Sequence, residues 1–270
     1  MANVLNVSRS GYYKFLVRGE TKQYRENKLL SEKIRDVFQM SRRTYGSPRI
    51  TDELHDMGYR CSKNRVWRIM KELHLVSCRH KKFKVRTTDS NHDLPVSPNL
   101  LGRKFSVSKP DKVWVSDITY ISTREGWLFL CIILDLFSRK IVGWSMKEHM
   151  RTSLIIDALD MAYESRKPDE GLIFHSDRGS QYASKDFRDK LAEYKMLSSM
   201  SRKGNCWDNA CAESVFGTLK TELVYLNDYA LREIARRDIF EYIEVFYNRV
   251  RRHSTLGSLS PVNYELKQCA

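Results

Sequence analysis

Val113-Trp114-Val115-Ser116-Asp117-Ile118-Thr119-Tyr120-Ile121 is the stretch on which the reading of this chain turns. β-Branched and aromatic residues fill it, which is the composition of a strand. A strand this apolar is expected to be buried on both faces, where an uncompensated carboxylate is costly. Asp117 therefore needs a partner or a cation. Downstream, Gly126 to Leu136 is a nearly continuous apolar run and Lys140 to Met146 follows closely, so the three segments read as an antiparallel meander. Residues 152–165 read as a helix burying Leu154, Ile155, Ala158, Leu159 and Ala162. Gly171 to Ser176 is expected as a short buried strand, 184–194 as a helix and Met196 to Met200 as another strand. Helices over 209–225 and 229–247 complete the pattern. Three strands followed by alternating helices and strands predict an α/β layered sheet.

Upstream the pattern is helical. Leu29, Leu30, Ile34, Val37 and Phe38 give residues 22–40 a helical spacing. Residues 50–76 read as two short helices about a turn. Ile50, Leu54 and Met57 line the first, Gly58 ends it, and Ser62 caps the second, which buries Val66, Ile69, Met70 and Leu73. Lys63, Arg65 and Arg68 stay on the polar faces of that second helix. The pattern fits a helix–turn–helix whose basic helix enters the major groove, or an ordinary helical hairpin with a charged solvent face. The tail that follows carries Lys81, Lys82 and Lys84, cations able to track phosphates. Pro95, Pro98 and Pro110 among Ser, Asn and Asp mark 87–110 as a linker. The expected organisation is thus a helical DNA-binding region over 1–86, with its helix–turn–helix at about 45–76, and a core over 111–270.

Charge supports that division. The chain of 270 residues has a formal net charge of +14. Residues 1–110 hold 24 Lys and Arg against 10 Asp and Glu, whereas residues 111–270 hold 23 of each. A basic front on a neutral back points to a polyanion-binding module joined to something else. No apolar run is long enough to span a bilayer, and Met1 to Leu16 lacks the apolar stretch of a secretory signal. The six cysteines form no C-x-x-C and no zinc-finger spacing, so reduced thiols in a cytoplasmic protein are expected.

Asp177 follows Leu172-Ile173-Phe174 and opens the turn Asp177-Arg178-Gly179-Ser180, at the strand end where α/β sheets gather ligands. Glu213 lies in a helix with Ala210, Val215, Phe216 and Leu219 for packing. Carboxylates drawn together repel unless a cation offsets them. Their hard oxygens suit Mg²⁺, and a pair of such ions can activate a nucleophile on a phosphodiester. From residue types alone a metal site and a set of salt-bridge partners remain equally open. Asp135 reads as structural rather than a fourth ligand, Asp208 as a cap for the Glu213 helix rather than a metal ligand, and His175 equally as a packing residue or an orienter of Asp177 or of a phosphate.

Three further stretches extend the first: His175-Ser176-Asp177-Arg178-Gly179-Ser180-Gln181-Tyr182, Asn209-Ala210-Cys211-Ala212-Glu213-Ser214-Val215-Phe216, and Leu134-Asp135-Leu136-Phe137-Ser138-Arg139. With Tyr247-Asn248-Arg249, His253, Leu256 and Pro261, they make residues 111–262 resemble the integrase core of bacterial insertion-sequence transposases of the IS-three family. Asp177 and Glu213 are separated by 35 residues, the spacing in that family's DDE signature. Tyr45-Gly46-Ser47-Pro48-Arg49-Ile50 through Val76 is similar to the family's helix–turn–helix segment.

The resemblance implies a ribonuclease H-like core with a mixed five-stranded sheet, behind an all-helical region. It implies Asp117, Asp177 and Glu213 as catalytic metal ligands for Mg²⁺, with Mn²⁺ able to substitute, in DNA cleavage and strand transfer at insertion-element ends. Lys220 fits the same site, because seven residues past Glu213 a helix has turned about 700° and both side chains share a face. Its cation is expected to hold a DNA phosphate. The partners implied are terminal-repeat and target DNA, further copies of the chain on that DNA, and the product of an upstream reading frame. The start, Met1 to Tyr13, resembles the middle of the family's fused protein. The zinc domain that precedes retroviral integrase cores has no counterpart here, so no zinc is expected. The implied location is the bacterial cytoplasm, on the nucleoid when DNA is bound. Two other readings share these residues: a DNA-binding regulator with an inactive core, and a ribonuclease H-type nuclease that only hydrolyses.

Overall fold

The computed structural model describes residues 8–17, 19–78, 94–202 and 206–269, in two compact units, Met1–Cys78 and Arg79–Ala270. The front unit holds α1 (Arg9–Leu16), α2 (Lys22–Met40), α3 (Ser47–Asp56) and α4 (Lys63–Glu72). Local chemistry sets their ends. Ser8, Thr21 and Ser62 each accept a backbone N–H as N-caps, and Pro48 occupies the first turn of α3, where no N–H is required. Gly58, at φ +86°, reverses the chain after α3 while Tyr59 N–H donates to Leu54 O.

Leu30, Ile34, Val37 and Phe38 of α2 are buried, as are Ile50 and Leu54 of α3 and Val66, Ile69 and Met70 of α4. Three expected core residues differ. Leu29 and Met57 are exposed and Leu73 is half-buried: Leu29 lies one position off the buried stripe of α2, whereas Met57 and Leu73 are the C-cap residues just past the ends of α3 and α4.

In the second unit one mixed sheet runs in the order β3-β2-β1-β4-β5. Its strands are β1 (Val113–Thr123), β2 (Gly126–Asp135), β3 (Ile141–Lys147), β4 (Ile173–Ser176) and β5 (Leu197–Met200). The first three form the expected antiparallel meander, and β4 and β5 join parallel to β1. The helices are α5 (Thr152–Arg166), the short α6 (Ser180–Ala183), α7 (Lys185–Glu193), α8 (Ala210–Glu222), α9 (Arg232–Glu241) and α10 (Pro261–Cys269). Trp114, Cys131 and Ile133 form one core with Leu154, Ile155, Ala158 and Leu159 of α5 and with Phe187 of α7. Gly143 permits that packing, since a Cβ there would stand 2.3 Å from Ala158 O.

Several ends differ from the sequence expectation for physical reasons. Gly171, at φ +84°, delays the fourth strand to Ile173. Leu223 leaves helical geometry and a single 3-10 turn follows at Val224–Leu226, so α8 stops at Glu222. Tyr229 O accepts from Arg124 N–H and thereby ties that chain to the β1–β2 hairpin, so α9 begins only at Arg232. It continues into a wider π turn at Tyr242–Tyr247. The segment expected as a linker is attached to the core over its described part: Ser97 Oγ donates to Ser198 Oγ, Leu100 N–H to Ser199 Oγ, and Leu101 is buried.

Candidate active site

Alternation along β1 places Val115, Asp117, Thr119 and Ile121 in one row, away from the α5 core that takes Trp114. Opposite them on β2 stand Leu134, Ile132, Leu130 and Leu128, and α8 packs against β1. Asp117 is thus the one acid in an otherwise uncharged row beneath a helix. The parallel register of β1 and β4 pairs Val113 with Ile173 and Val115 with His175. Continued by two residues, it brings Asp177 beside Asp117, just past the end of β4. Asp177 Oδ1 accepts the Gly179 N–H at 2.9 Å, which fixes the carboxyl in the turn.

α8 is delivered by its own start. Asn209 Nδ2 donates to Ser116 O at 3.1 Å, tying the residue before α8 to the residue before Asp117. Glu213 lies one turn into α8 and is exposed, whereas Asp117 and Asp177 are half-buried. Lys220 lies two turns on, with Nζ 4.9 Å above the Tyr120 ring.

The charges of these groups act on one another. Burial, then Asp177 and Glu213, push the Asp117 carboxyl well above the usual carboxylate range, against the pull of the Ile118 N–H and Lys220. Burial, then Asp177, raise Glu213. Burial lowers Lys220, while Asp117 works to raise it. Three mutually repelling carboxyls beside one amine have the electrostatics that a divalent cation relieves. All the donors are hard oxygens, so the chemistry of the set fits Mg²⁺ or Mn²⁺ and does not fit a thiolate metal. Among the described residues no three metal-binding side chains stand close enough to share one ion, so the carboxyls would have to close further around it.

The surrounding polar residues are structural. His175 is fully buried, with Nδ1 2.9 Å from Ser199 Oγ and Nε2 3.2 Å from Ser201 Oγ. Burial lowers it to about 4, so it packs as a neutral ring. Asp135 accepts from the N–H groups of Asp111 and Phe137 and faces Arg166, holding the far end of the sheet. Asp208 does not cap α8; Asn209 takes that position. Its buried carboxylate instead collects Asn99 Nδ2, Arg103 Nε and the backbone and guanidinium of Arg202, which hold it well below the usual range. Sequence reasoning missed this hub, because its partners are up to 109 residues away. Arg178 Nε donates to Ser201 O, and Cys61, Cys131 and Cys211 stand outside any disulfide.

In the front unit Lys63 and Arg68 are exposed on α4. Arg65 is engaged: Nε donates to Asn27 Oδ1 at 2.8 Å and Nη2 to Glu26 Oε2 at 3.1 Å, pinning α4 to α2. The expected phosphate contacts Lys81, Lys82 and Lys84 lie outside the described residues. Trp67 was not anticipated. It stands exposed on the basic face, with Lys71 Nζ 5.7 Å from its ring. An aromatic on an otherwise charged helical face was the available signal.

Residues 25–83 match the model of an HTH-like domain, and 107–206 and 213–268 match two models of an integrase core domain. The chain is 44% identical to the insertion element IS600 uncharacterized 31 kDa protein of Shigella sonnei, over 99% of this chain and 98% of that one. It is 42% identical to transposase InsF for insertion sequence IS3A of Escherichia coli strain K12, over 100% of this chain and 94% of that one. In fold it is similar to a chain of the simian T-cell lymphotropic virus intasome, solved in complex with the PP2A regulatory subunit B56 gamma. That similarity has a TM-score of 0.50 and 16% identity, and covers 85% of this chain and 73% of that chain.

Proposed function

This chain belongs to the IS3 family of insertion-sequence transposases, and on that premise we propose that Asp117, Asp177 and Glu213 are the catalytic carboxylates of its DNA strand cleavage and strand transfer. The enzyme is a DDE-type polynucleotidyl transferase with a ribonuclease H-like core. The observation that carries the assignment is geometric: the β1–β4 register continues to Asp177 beside Asp117, and the Asn209–Ser116 bond fastens the start of α8, with Glu213, to the same strand; the raised Asp117 and Glu213 carboxyls agree with it. The same three residues would hold the divalent cations, Mg²⁺ with Mn²⁺ as substitute. When bound, such cations activate the attacking hydroxyl and neutralise the leaving oxygen.

The chain's own residues supply the rest. β1 and β4 hold Asp117 and Asp177 on a rigid sheet, and the Asn209–Ser116 bond sets the distance at which α8 presents Glu213. Lys220, on the Glu213 face of α8, supplies a cation for the DNA phosphate beside the reacting one. The helical DNA-binding region, residues 1–86 with Lys63, Arg68 and the Lys81–Lys84 tail, binds the terminal repeats. Arg65 joins them only by releasing Glu26. Assembly of several copies on DNA, and pairing with an upstream-frame product, belong to the same proposal. So does a cytoplasmic location; no described helix is long and apolar enough to cross a membrane.

Asp117→Asn, Asp177→Asn and Glu213→Gln keep size and remove charge. Each is expected to abolish cleavage and joining of terminal-repeat duplexes while DNA binding persists. Retained cleavage in any one would remove that residue from the set, and a wild type that cuts without joining would favour the purely hydrolytic nuclease.

A further inference from the structure

Beside Lys220 the core unit opens a pocket of about 830 Å³, between the far ends of β1 and β2 and the chain that follows α8. That volume falls in the range of sites that enclose small organic ligands. Tyr120, Trp127, Phe129, Tyr225 and Tyr229 line it with aromatic rings, and its two cations are Lys220 and Arg124, the latter paired with Asp228. Trp127 meets Tyr120 edge-on at 4.8 Å between centroids, yet stays 51% exposed. A large ring left this open on a strand is placed for a partner, not for the core. Tyr120 Oη is buried and forms no hydrogen bond with any described residue, so a polar atom is left over at the pocket wall.

Lys220 joins this pocket to the catalytic site. It lies over Tyr120 on one side and feels the Asp117 carboxylate on the other. A nucleotide whose phosphate sits against Lys220 therefore has flat aromatic surfaces within one sugar's reach. Aromatic faces next to a backbone cation are the chemistry that takes up unpaired bases, and it tolerates any base because every base has a π face. Drawing the base out of the duplex carries an unstacking cost, which stacking on the rings offsets.

We propose that this pocket receives an unpaired nucleobase from the nucleotide adjoining the phosphate under attack, stacked on Trp127 and Tyr225. The proposal rests on the transposase reading of the neighbouring carboxylates. The base comes either from the element end or from the target strand, and the chemistry is the same for both.

The test uses the full chain and duplexes carrying the element's own terminal repeat. In one arm 5-iododeoxyuridine replaces the nucleotide on either side of the scissile phosphate; in the other it stands next to the joining position in target DNA. After irradiation, the crosslinked peptide is read by mass spectrometry. The expected attachment is to Tyr120, Trp127 or Tyr225, and the arm that yields it identifies the strand. No crosslink at these residues from any arm overturns the proposal.

Kinetics supply the second measurement. Unpairing that nucleotide with a mismatch is expected to speed cleavage about tenfold, because the unstacking cost is removed beforehand. An abasic nucleotide there gives no such gain, since there is nothing to stack. Trp127→Ala should erase the difference between mismatch and abasic substrates, and Trp127→Tyr should restore most of it. A wild type that treats the two substrates alike refutes the pocket's role. Absence of cleavage with every duplex would count against the transposase reading instead, and the crosslink would still decide the pocket.

Discussion

Replacing Arg251 by methionine removes the cation that the end of α8 is built around. Arg251 Nε donates to Glu222 Oε2 at 2.8 Å and Nη2 to Oε1 at 2.7 Å, a two-pronged pair with each side chain only 7% exposed. Tyr242 Oη also donates to Glu222 Oε2, at 2.8 Å, from the π turn after α9. Removing one partner of such a pair strands a buried charge and costs about 3–5 kcal/mol. Replacing both partners by apolar groups of similar volume is often near neutral. Here the double variant still leaves Tyr242 Oη without its acceptor, at about 1–3 kcal/mol. Arg251→Met and Glu222→Leu are therefore each expected to be costly alone and far less than additive together, with a coupling of about 3 kcal/mol or more. Urea unfolding in a Trp67→Phe background measures this, since the four remaining tryptophans all lie beyond residue 110 and report on the core. Because Glu222 is two residues past Lys220, Arg251→Met should also slow cleavage under conditions where the chain is still folded. A single-variant cost below about 1 kcal/mol, or simple additivity, would refute the view that this pair anchors α8.

Three shorter predictions follow from other sites. Binding of Mg²⁺ or Mn²⁺ should release protons and strengthen as pH rises, because a carboxyl raised like Asp117 holds its proton unusually far up the scale and the cation must displace it. Calorimetry in buffers of different ionisation enthalpy detects the release, and an unchanged titration in Asp177→Asn would remove that residue from the ligand set. A fragment of residues 1–86 should bind DNA with steep salt dependence. Arg68→Ala should lower the salt slope by about one, and Arg65→Ala by less, since Arg65 is already paired with Glu26; equal slopes for the two would contradict that pairing. Asp208→Asn should lower the melting temperature at neutral pH. The folded carboxyl is depressed below its unfolded value, so its contribution is full above the ordinary Asp range and is lost as pH falls toward the folded value. The gap between variant and wild type should accordingly narrow in acid, and a gap that widens would reverse the sign of the argument.

Local physics made much of the fold readable. The meander shows in sequence because β1, β2 and β3 are consecutive, and each carries enough β-branched and apolar residues to declare its period. The caps at Ser62 and the stop at Gly58 are likewise decided within four residues of themselves. Element ends failed where a distant contact decides them. Nothing near Tyr229 signals that its carbonyl is taken by Arg124, 105 residues earlier, yet that bond moves the start of α9. The segment 94–110 looked like a linker for the same reason: its proline-rich composition is real, but Leu101 and the bonds to Ser198 and Ser199 come from a strand almost 100 residues away.

The candidate site divides along the same line. Asp117, Asp177, Glu213 and Lys220 could be singled out because each breaks a local pattern: an acid within a strand, an acid opening a turn, and an acid and a lysine two helical turns apart. What brings them together was not legible. Asn209 binds Ser116 across 93 residues, Glu222 binds Arg251, and Asn248 bonds both ways with the backbone of Ile141, so the closing stretch of the chain finishes the edge of β3. Asn209 and Asn248 stand in stretches that carry the family resemblance, but no local pattern says what these side chains bind, and each is buried in the fold. A buried polar side chain tolerates little displacement, because losing its partner leaves it desolvated. The carboxyls proposed as catalytic are therefore held by groups that carry no chemistry of their own. Their repulsion is opposed by the Asn209 and Glu222 anchors at the two ends of α8. Loosening either end should let Glu213 and Lys220 drift from Asp117 with the sheet intact, and should reduce catalysis before it reduces folding.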